Sequence, residues 1–135
     1  MTAALLAAAA GWWLAGLGWT VQATAYPAFA DVPASRWTAH HAGHSRRITL
    51  AVGPAWIVQG AATLWWLLSS FGALSVVHAL GALAGVLLTV GLAVPAHQRL
   101  ARGFSPAAHR DLLRANLVRS AVFTATAVLA TFGAA

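Results

Sequence analysis

Two long stretches without a charged residue most constrain how this chain can fold. No Asp, Glu, Lys or Arg occurs from Met1 to Ala30, or in the 51 positions between Arg47 and Arg99. A helix needs roughly 20 apolar residues to cross a bilayer, so the first stretch holds one span and the second holds two. The first is not typical of a signal peptide, because no basic residue precedes its long apolar run.

The composition supports a membrane location. Of the 135 residues, 60% are hydrophobic and 7% are charged, and the mean hydropathy is +0.74. A water-soluble domain of this length would have too little polar surface to cover itself. We therefore predict an all-α fold, an integral membrane four-helix bundle formed by a single domain over residues 1–135. Cysteine is absent, which excludes disulfides and thiolate ligands.

Helix-breaking and capping residues place the elements along the chain. Ser105 is suited to be the N-cap of helix four, with Pro106 at its first helical position. The predicted elements are helix one from about Ala3 to Phe29, a short cytoplasmic interfacial helix over residues 34–48, helix two from Thr49 to Leu68 opening near Gly53 and Pro54, a turn through Ser70 and Gly72, helix three from Leu74 to Pro95 or slightly beyond, and helix four from Pro106 to Gly133.

The placement of the charges predicts the orientation in the membrane. All eight basic residues are Arg, the formal net charge is +6, and every Arg falls in or beside two connections: Arg36, Arg46 and Arg47 in the first, and Arg99, Arg102, Arg110, Arg114 and Arg119 around the second. The positive-inside rule puts both connections in the cytoplasm and both termini on the non-cytoplasmic side. Membrane lipids with anionic headgroups are therefore the expected partners of these Arg side chains, and no nucleic acid is expected.

Small residues recur every four positions on two of the spans. They are Gly81, Gly85 and Thr89 on helix three, and Ala7, Gly11 and Ala15 on helix one. Such spacing lets helices approach closely. Packing within the bundle is the simpler interpretation, and a homo-oligomer built on one of these faces is the alternative.

Histidine offers metal-binding chemistry at the cytoplasmic ends of the helices. His40 and His44 are one helical turn apart, and His97 follows Pro95 at the same predicted depth, so the three predict a metal site for copper, iron or zinc. His78 lies 19 residues before His97, about 28 Å along a helix, and is interpreted as a packed or interfacial residue. A haem between His97 and a loop histidine is less favoured, because facing spans carry no second histidine pair.

Polar residues inside the spans fall into two groups. Gln22, Gln59 and Thr63 are interpreted as interhelical hydrogen-bonding residues, each bond contributing about 0.6 kcal/mol. Asn116 and Arg119 on helix four point to a site, because a guanidinium inside the membrane boundary needs a route to water or an anionic partner. Only Asp31 and Asp111 are carboxylates.

Four short motifs resemble a known pattern. The segments YPAFADV, HHAGHSRRI, VPAHQRLARGF and LLRANLVRS are similar to those of a broad group of small four-helix membrane proteins related to the anthrone-oxygenase-like family. The resemblance implies site roles for Tyr26, His44, His97, Asn116 and Arg119. The chain departs from the family, which more often has Asn in its Val-Pro motif and Trp beside the helix-four Asn. This chain has His97 and Ala115 there, so the resemblance does not imply a shared substrate.

The predicted function is a membrane-embedded oxidoreductase, of the oxygenase type, that acts on a lipophilic small molecule near the cytoplasmic side. Tyr26 would donate a hydrogen bond or a proton, and His44 and His97 would bind a metal or act as general bases. Asn116 and Arg119 would stabilise an oxyanion. The alternative is a non-catalytic membrane component that binds a metal, a haem or a partner subunit.

Overall fold

The computed structural model describes all 135 residues and contains helices and no strand. The elements are α1 (Thr2–Thr20), a π-helical turn (Val21–Ala25), a 3₁₀ helix (Pro27–Asp31), α2 (Ala34–Ser69), α3 (Ala73–Leu88), a second π-helical turn (Thr89–Ala93), α4 (Val94–Ala101) and α5 (Pro106–Ala134). Four continuous helical segments are long and apolar enough to cross a membrane: Thr2–Asp31, Ala34–Ser69, Ala73–Ala101 and Pro106–Ala134. The predicted all-α, four-helix architecture is confirmed.

The start of α5 also agrees with the sequence. Pro106 is its first residue, and the Ser105 hydroxyl accepts a hydrogen bond from the Ala108 N–H at 3.3 Å. The turn between the second and third spans lies where Ser70 and Gly72 predict it.

The segment predicted as a separate interfacial helix is instead the first part of α2. Residues 34–48 are helical, but the helix continues without interruption through Pro54 to Ser69, a length of 36 residues. Such a helix is about 54 Å long, whereas the apolar core of a bilayer is about 30 Å thick. The polar first part therefore extends α2 beyond the apolar core. Pro54 removes one N–H from the hydrogen-bond ladder of α2, and the helix continues through it.

Close contacts between small residues hold α5 against α1 and α3. A Cβ atom placed on Gly11 would lie 3.1 Å from Ala127, and one on Gly18 would lie 2.6 Å from the Ser120 hydroxyl oxygen. On α3, a Cβ atom placed on Gly85 would lie 2.5 Å from the Phe123 ring. Both predicted small-residue stripes are thus used inside the bundle. A homo-oligomer stays a prediction, and these stripes do not supply its interface.

The two ends of the bundle have different cores. The Arg-rich end is the end where the first span joins the second and the third joins the fourth, and its core contains large aromatic and aliphatic side chains such as Tyr26, Phe29, Trp37 and Leu100. The terminal end carries both termini and the turn between the second and third spans. Its core consists mainly of alanine: Ala3, Ala4, Ala7, Ala8, Ala62 and Ala130, with Trp66.

Candidate functional site

Two prolines reshape the backbone at the Arg-rich end in the same way. Tyr26 precedes Pro27, and Val94 precedes Pro95. The Tyr26 N–H donates to the Val21 carbonyl at 3.0 Å, and the Val94 N–H donates to the Thr89 carbonyl, both five residues back. Proline has no N–H to continue the regular hydrogen bonds of an α-helix. Each π-helical turn accommodates one extra residue on the N-terminal side of its proline. The extra residue rotates the following side chains by about 100° around the helix axis.

The rotated segments bring Tyr26 and His97 together. The Tyr26 hydroxyl oxygen lies 3.1 Å from Nε2 of His97. The other ring nitrogen of His97, Nδ1, lies 3.1 Å from Nε2 of His41 on α2. The three side chains therefore form a continuous hydrogen-bonded chain from the first span through the third to the second. Tyr26 is 1% exposed and His41 is 3% exposed, so both ends of the chain are buried, and His97 between them is partly buried.

Every member of this chain can either donate or accept. In one arrangement the Tyr26 O–H donates to Nε2 of His97, and the Nδ1–H of His97 donates to His41. In the other, the Nε2–H of His41 donates to His97, and the Nε2–H of His97 donates to the Tyr26 oxygen. Neutral histidine supports both, because one ring nitrogen donates while the other accepts. Reversing the direction moves a proton from one end of the chain to the other.

His44 stacks on His97, while His40 lies apart. The His44 and His97 rings are 6.1 Å apart and nearly parallel, and Nε2 of His44 is buried without a hydrogen-bond partner. His40 is exposed and packs its ring against Phe29, 5.8 Å away. Of the predicted trio, the structure therefore joins His44 to His97 and leaves His40 outside.

The predicted metal site finds no support in the geometry. The structure has no group of three or more His, Cys, Asp or Glu side chains placed to hold a metal ion. The His40 ring contacts Phe29 and Trp37, and both ring nitrogens of His97 already bond to Tyr26 and His41. Copper, iron or zinc at His40, His44 and His97 stays a prediction, which would require the hydrogen bonds of His97 to break.

Asn116 is fully buried and orients Arg119. Its amide nitrogen donates to the Gly18 carbonyl at 3.0 Å and to Oε1 of Gln22 at 2.8 Å. Its oxygen accepts from Nη2 of Arg119 at 2.6 Å. Both amide hydrogens are thus used inside the protein, and Asn116 has none left for a substrate. The bond with Gln22 agrees with the interhelical role predicted for that residue.

Arg119 has no carboxylate partner. The only salt bridge joins Arg99 to Asp111 at 2.9 Å, near the surface. The Arg119 guanidinium carbon instead lies 5.9 Å from the centre of the Phe123 ring, and its Nε is buried without a hydrogen-bond partner. A half-buried cation in apolar surroundings attracts any anion that reaches it.

A cavity of about 230 Å³ connects these residues. Tyr26, His97 and Arg119 line it together with apolar and hydroxyl side chains of α2 and the third span. Its rim includes Thr49 and Val94, which are exposed on the outer surface of the bundle. We call it the relay cavity. It opens sideways between the second and third spans, towards the bilayer.

A crevice of about 420 Å³ adjoins the relay cavity at His97, and the two also share Ile48, Thr49 and Val94. It runs between the first part of α2 and α4, and its lining includes Thr38, Ser45 and Gln98 beside His41 and His97. His97 lines both the crevice and the relay cavity. Tyr26 lines only the relay cavity and His41 lines only the crevice, so the hydrogen-bonded chain extends from one to the other through His97.

Sequence reasoning overlooked His41 and His109. His41 was passed over in favour of His40, although Trp37, His41 and His44 also follow helical spacing. His109 is buried, and its Nε2 donates to the Tyr26 carbonyl at 2.7 Å, which fixes the backbone of that residue. The Tyr26 carbonyl also accepts from the Phe29 N–H at 3.1 Å in the 3₁₀ helix, so His109 uses the second lone pair of that oxygen, and no sequence pattern signals this contact.

No family model, no curated protein and no solved structure matches this chain. The resemblance to the anthrone-oxygenase-like proteins therefore stays a prediction, and the function is argued from the site alone.

Proposed function

We propose that this chain is a membrane-embedded oxidoreductase of the oxygenase type, which acts on a lipophilic small molecule at the relay cavity near the cytoplasmic side. The observation that carries the proposal is the hydrogen-bonded chain from Tyr26 through His97 to His41, with 3.1 Å at each step. The Tyr26 end of this chain lines the relay cavity, and the His41 end lines the crevice. It suits the removal of a proton from a molecule that enters from lipid.

The substrate class follows from the cavity. Entry between the second and third spans favours a molecule that is already dissolved in the bilayer. The relay cavity combines a proton acceptor with a cation that lacks a counter-ion, Arg119. Such a pair favours a substrate that becomes an anion, because the cation stabilises the charge as it develops. A methylene group activated by a neighbouring carbonyl fits this description.

The reaction proceeds by proton removal followed by oxidation. The Tyr26 hydroxyl takes a proton from the methylene as it passes its own to His97, and His97 passes its Nδ1 proton to His41. The resulting enolate oxygen lies against Arg119, which Asn116 holds in place. Dioxygen, which dissolves well in lipid, accepts the electrons and bonds to the carbon. Methylene plus dioxygen gives a carbonyl plus water, so atoms and electrons balance.

The experiment uses the full chain in proteoliposomes with anthrone as the probe, since anthrone is lipophilic and carries such a methylene. Oxygen uptake and quinone formation are followed together, with and without a chelator. We expect both signals to exceed those of protein-free vesicles and to persist with the chelator. Loss of activity with the chelator, accompanied by a metal in elemental analysis, would favour the metal at His44 and His97. Absence of both signals would favour the non-catalytic alternative.

A matched pair of variants tests the relay itself. Tyr26→Phe removes the relay hydroxyl and keeps the ring, and we expect a rate lower by roughly 10²-fold or more. Thr49→Val removes a hydroxyl from the same cavity, but that hydroxyl bonds only to the Ser45 carbonyl of its own helix. The valine variant is expected to keep its rate. Equal rates for the two variants would contradict the relay.

A further inference from the structure

A second cavity lies in the terminal half of the bundle, away from the relay cavity. It has a volume of about 290 Å³ and lies where α2 and α3 face α1 and α5. Its wall is apolar and contains no charged residue, and the two cavities share only Trp56. Leu64, Leu83 and Val86 line it and are also exposed on the surface of the bundle, so it is open to lipid. We call it the terminal cavity.

The polar residues at this cavity form a network with only one arrangement of hydrogens. His78 is 0% exposed, and its Nδ1 lies 3.1 Å from the Thr126 carbonyl oxygen. A carbonyl only accepts, so Nδ1 carries the hydrogen and Nε2 of His78 is an acceptor. Nε2 lies 3.1 Å from the Gln59 amide nitrogen and 3.1 Å from the Thr63 hydroxyl. Both groups therefore donate to it.

This arrangement leaves one acceptor unused. Because the Gln59 amide nitrogen faces His78, the amide oxygen Oε1 faces away from it. Gln59 is only 7% exposed, and Oε1 is buried without a hydrogen-bond partner. A Cβ atom on Gly11 would lie 3.4 Å from Oε1, and Gly11 and Gln59 both line the terminal cavity. Reversing the amide would place two acceptors against each other, so the network keeps Oε1 on the side away from His78, beside Gly11 in the lining of the cavity.

We infer that the terminal cavity binds an uncharged lipophilic molecule with a hydroxyl group. The hydroxyl donates to Oε1 of Gln59, and the apolar body lies against Leu64, Leu83 and Val86. A buried acceptor without a donor is unfavourable, which selects a molecule that supplies one. An uncharged molecule fits because the wall offers no counter-ion. This inference is independent of the reaction proposed for the relay cavity.

The test uses the full chain in lipid vesicles and two photoreactive probes, a long-chain primary alcohol and its methyl ether. The ether has the same apolar body and cannot donate a hydrogen bond. We expect both probes to label peptides of α2 and α3, with half-saturation at about fivefold lower concentration for the alcohol, the effect of one hydrogen bond. Gln59→Leu should remove the difference between the probes.

A second pair of variants tests the location. A Cβ atom on Gly60 would meet nothing within 4 Å, and Gly60 lines the terminal cavity, so Gly60→Leu adds a side chain at the cavity wall without overlapping the other helices. Gly16 is equally open and lies outside the cavity. Labelling should be lost in Gly60→Leu and retained in Gly16→Leu. This pair also decides the outcome if Gln59→Leu does not fold.

Two results would overturn the inference. Equal half-saturation for the alcohol and the ether would mean that no hydroxyl is selected and that water alone satisfies Gln59. Unchanged labelling of α2 and α3 in Gly60→Leu would mean that the probes bind outside the cavity.

Discussion

His78 and His97 are both bonded through both ring nitrogens, yet their surroundings give them opposite properties. His78 faces a carbonyl that only accepts and two groups that donate, so its proton is fixed on Nδ1. His97 lies between a phenol and a second imidazole, and each of these donates or accepts. The first histidine holds helices in register and the second can move a proton. The partners of an imidazole, rather than its burial, decide between the two roles.

The backbone is regular around His78 and irregular around His97. Near His78, α2, α3 and α5 are regular α-helices. Near His97, two π-helical turns interrupt the first and third spans. Such turns occur frequently at functional sites, because the irregular turn redirects side chains that a regular helix would carry elsewhere.

The orientation in the membrane gives the largest expected effect, since it decides on which side the relay can exchange protons. If the Arg-bearing connections are cytoplasmic, an alkaline phosphatase fused after Ala135 should be active and one fused after Arg102 inactive. Alkaline phosphatase folds only outside the cytoplasm, so the expected difference in its activity between the two fusions is all or none. The reverse pattern would place the Arg-rich end, and the relay with it, outside the cytoplasm.

Replacing each histidine by alanine tests the contrast between them directly. We expect His97→Ala to lower the rate of anthrone oxidation by about 10²- to 10⁴-fold, because it interrupts proton transfer between Tyr26 and His41. His78→Ala should lower the rate per folded molecule by less than about threefold, since it only loosens packing. Rates are measured in proteoliposomes at equal amounts of folded protein.

Thermal unfolding in detergent supplies the control for this pair. His78→Ala leaves Gln59 and Thr63 without their acceptor, so it should lower the unfolding temperature more than His97→Ala does. If His78→Ala reduced the rate as strongly as His97→Ala while remaining folded, the contrast between the two histidines would be wrong.

The next effect concerns Arg119, the cation without a counter-ion. Arg119→Gln removes the charge and should lower the rate by about 10²- to 10³-fold, the usual loss when one group that stabilises a developing anion is removed. Asn116→Ala should reduce the rate less, because the guanidinium remains and only its orientation is lost. The inhibition constant of a lipophilic carboxylate checks the same point. This constant should be larger in Arg119→Gln, because the carboxylate then binds more weakly. An unchanged constant would exclude Arg119 from the anion site.

The helices were predictable from the sequence because their determinants are local. Uncharged stretches give the number of spans, and Ser105 with Pro106 gives the start of α5. The continuity of α2 was not predictable in the same way. Gly53 and Pro54 are typical of a helix start, but α2 passes through both positions in the structure.

The composition of the site was only partly predictable. Trp37, His40 and His44 follow helical spacing, and so do Trp37, His41 and His44, so periodicity does not distinguish the two faces. Whether His40 or His41 contacts His97 depends on the direction in which the His97 side chain points. The π-helical turn Thr89–Ala93 adds one residue before His97 and so changes that direction. The role of Asn116 also depended on its partners, because a sequence does not show that both amide hydrogens are already used.

The smallest expected effect concerns packing near His78 and does not depend on any activity. A Cβ atom on Gly81 of α3 would overlap with the Cγ2 methyl group of Thr126 on α5. The Thr126 hydroxyl bonds to the Val122 and Phe123 carbonyls, so its side chain does not rotate away easily. Gly81→Ala should therefore lower the free energy of unfolding in detergent by about 1 to 3 kcal/mol relative to Gly16→Ala. Both substitutions gain the same helix propensity, which cancels in the comparison.

A double variant identifies the cause of this loss. Thr126→Ser keeps the hydroxyl and removes the methyl group, so Gly81→Ala combined with Thr126→Ser should recover most of the lost stability. The recovery is expected because the introduced methyl group then occupies the space that Cγ2 vacates. Additive losses in the double variant would mean that α3 and α5 do not meet at Gly81 and Thr126. The register that fixes His78 against the Thr126 carbonyl, and with it the unused acceptor of Gln59, would then be wrong.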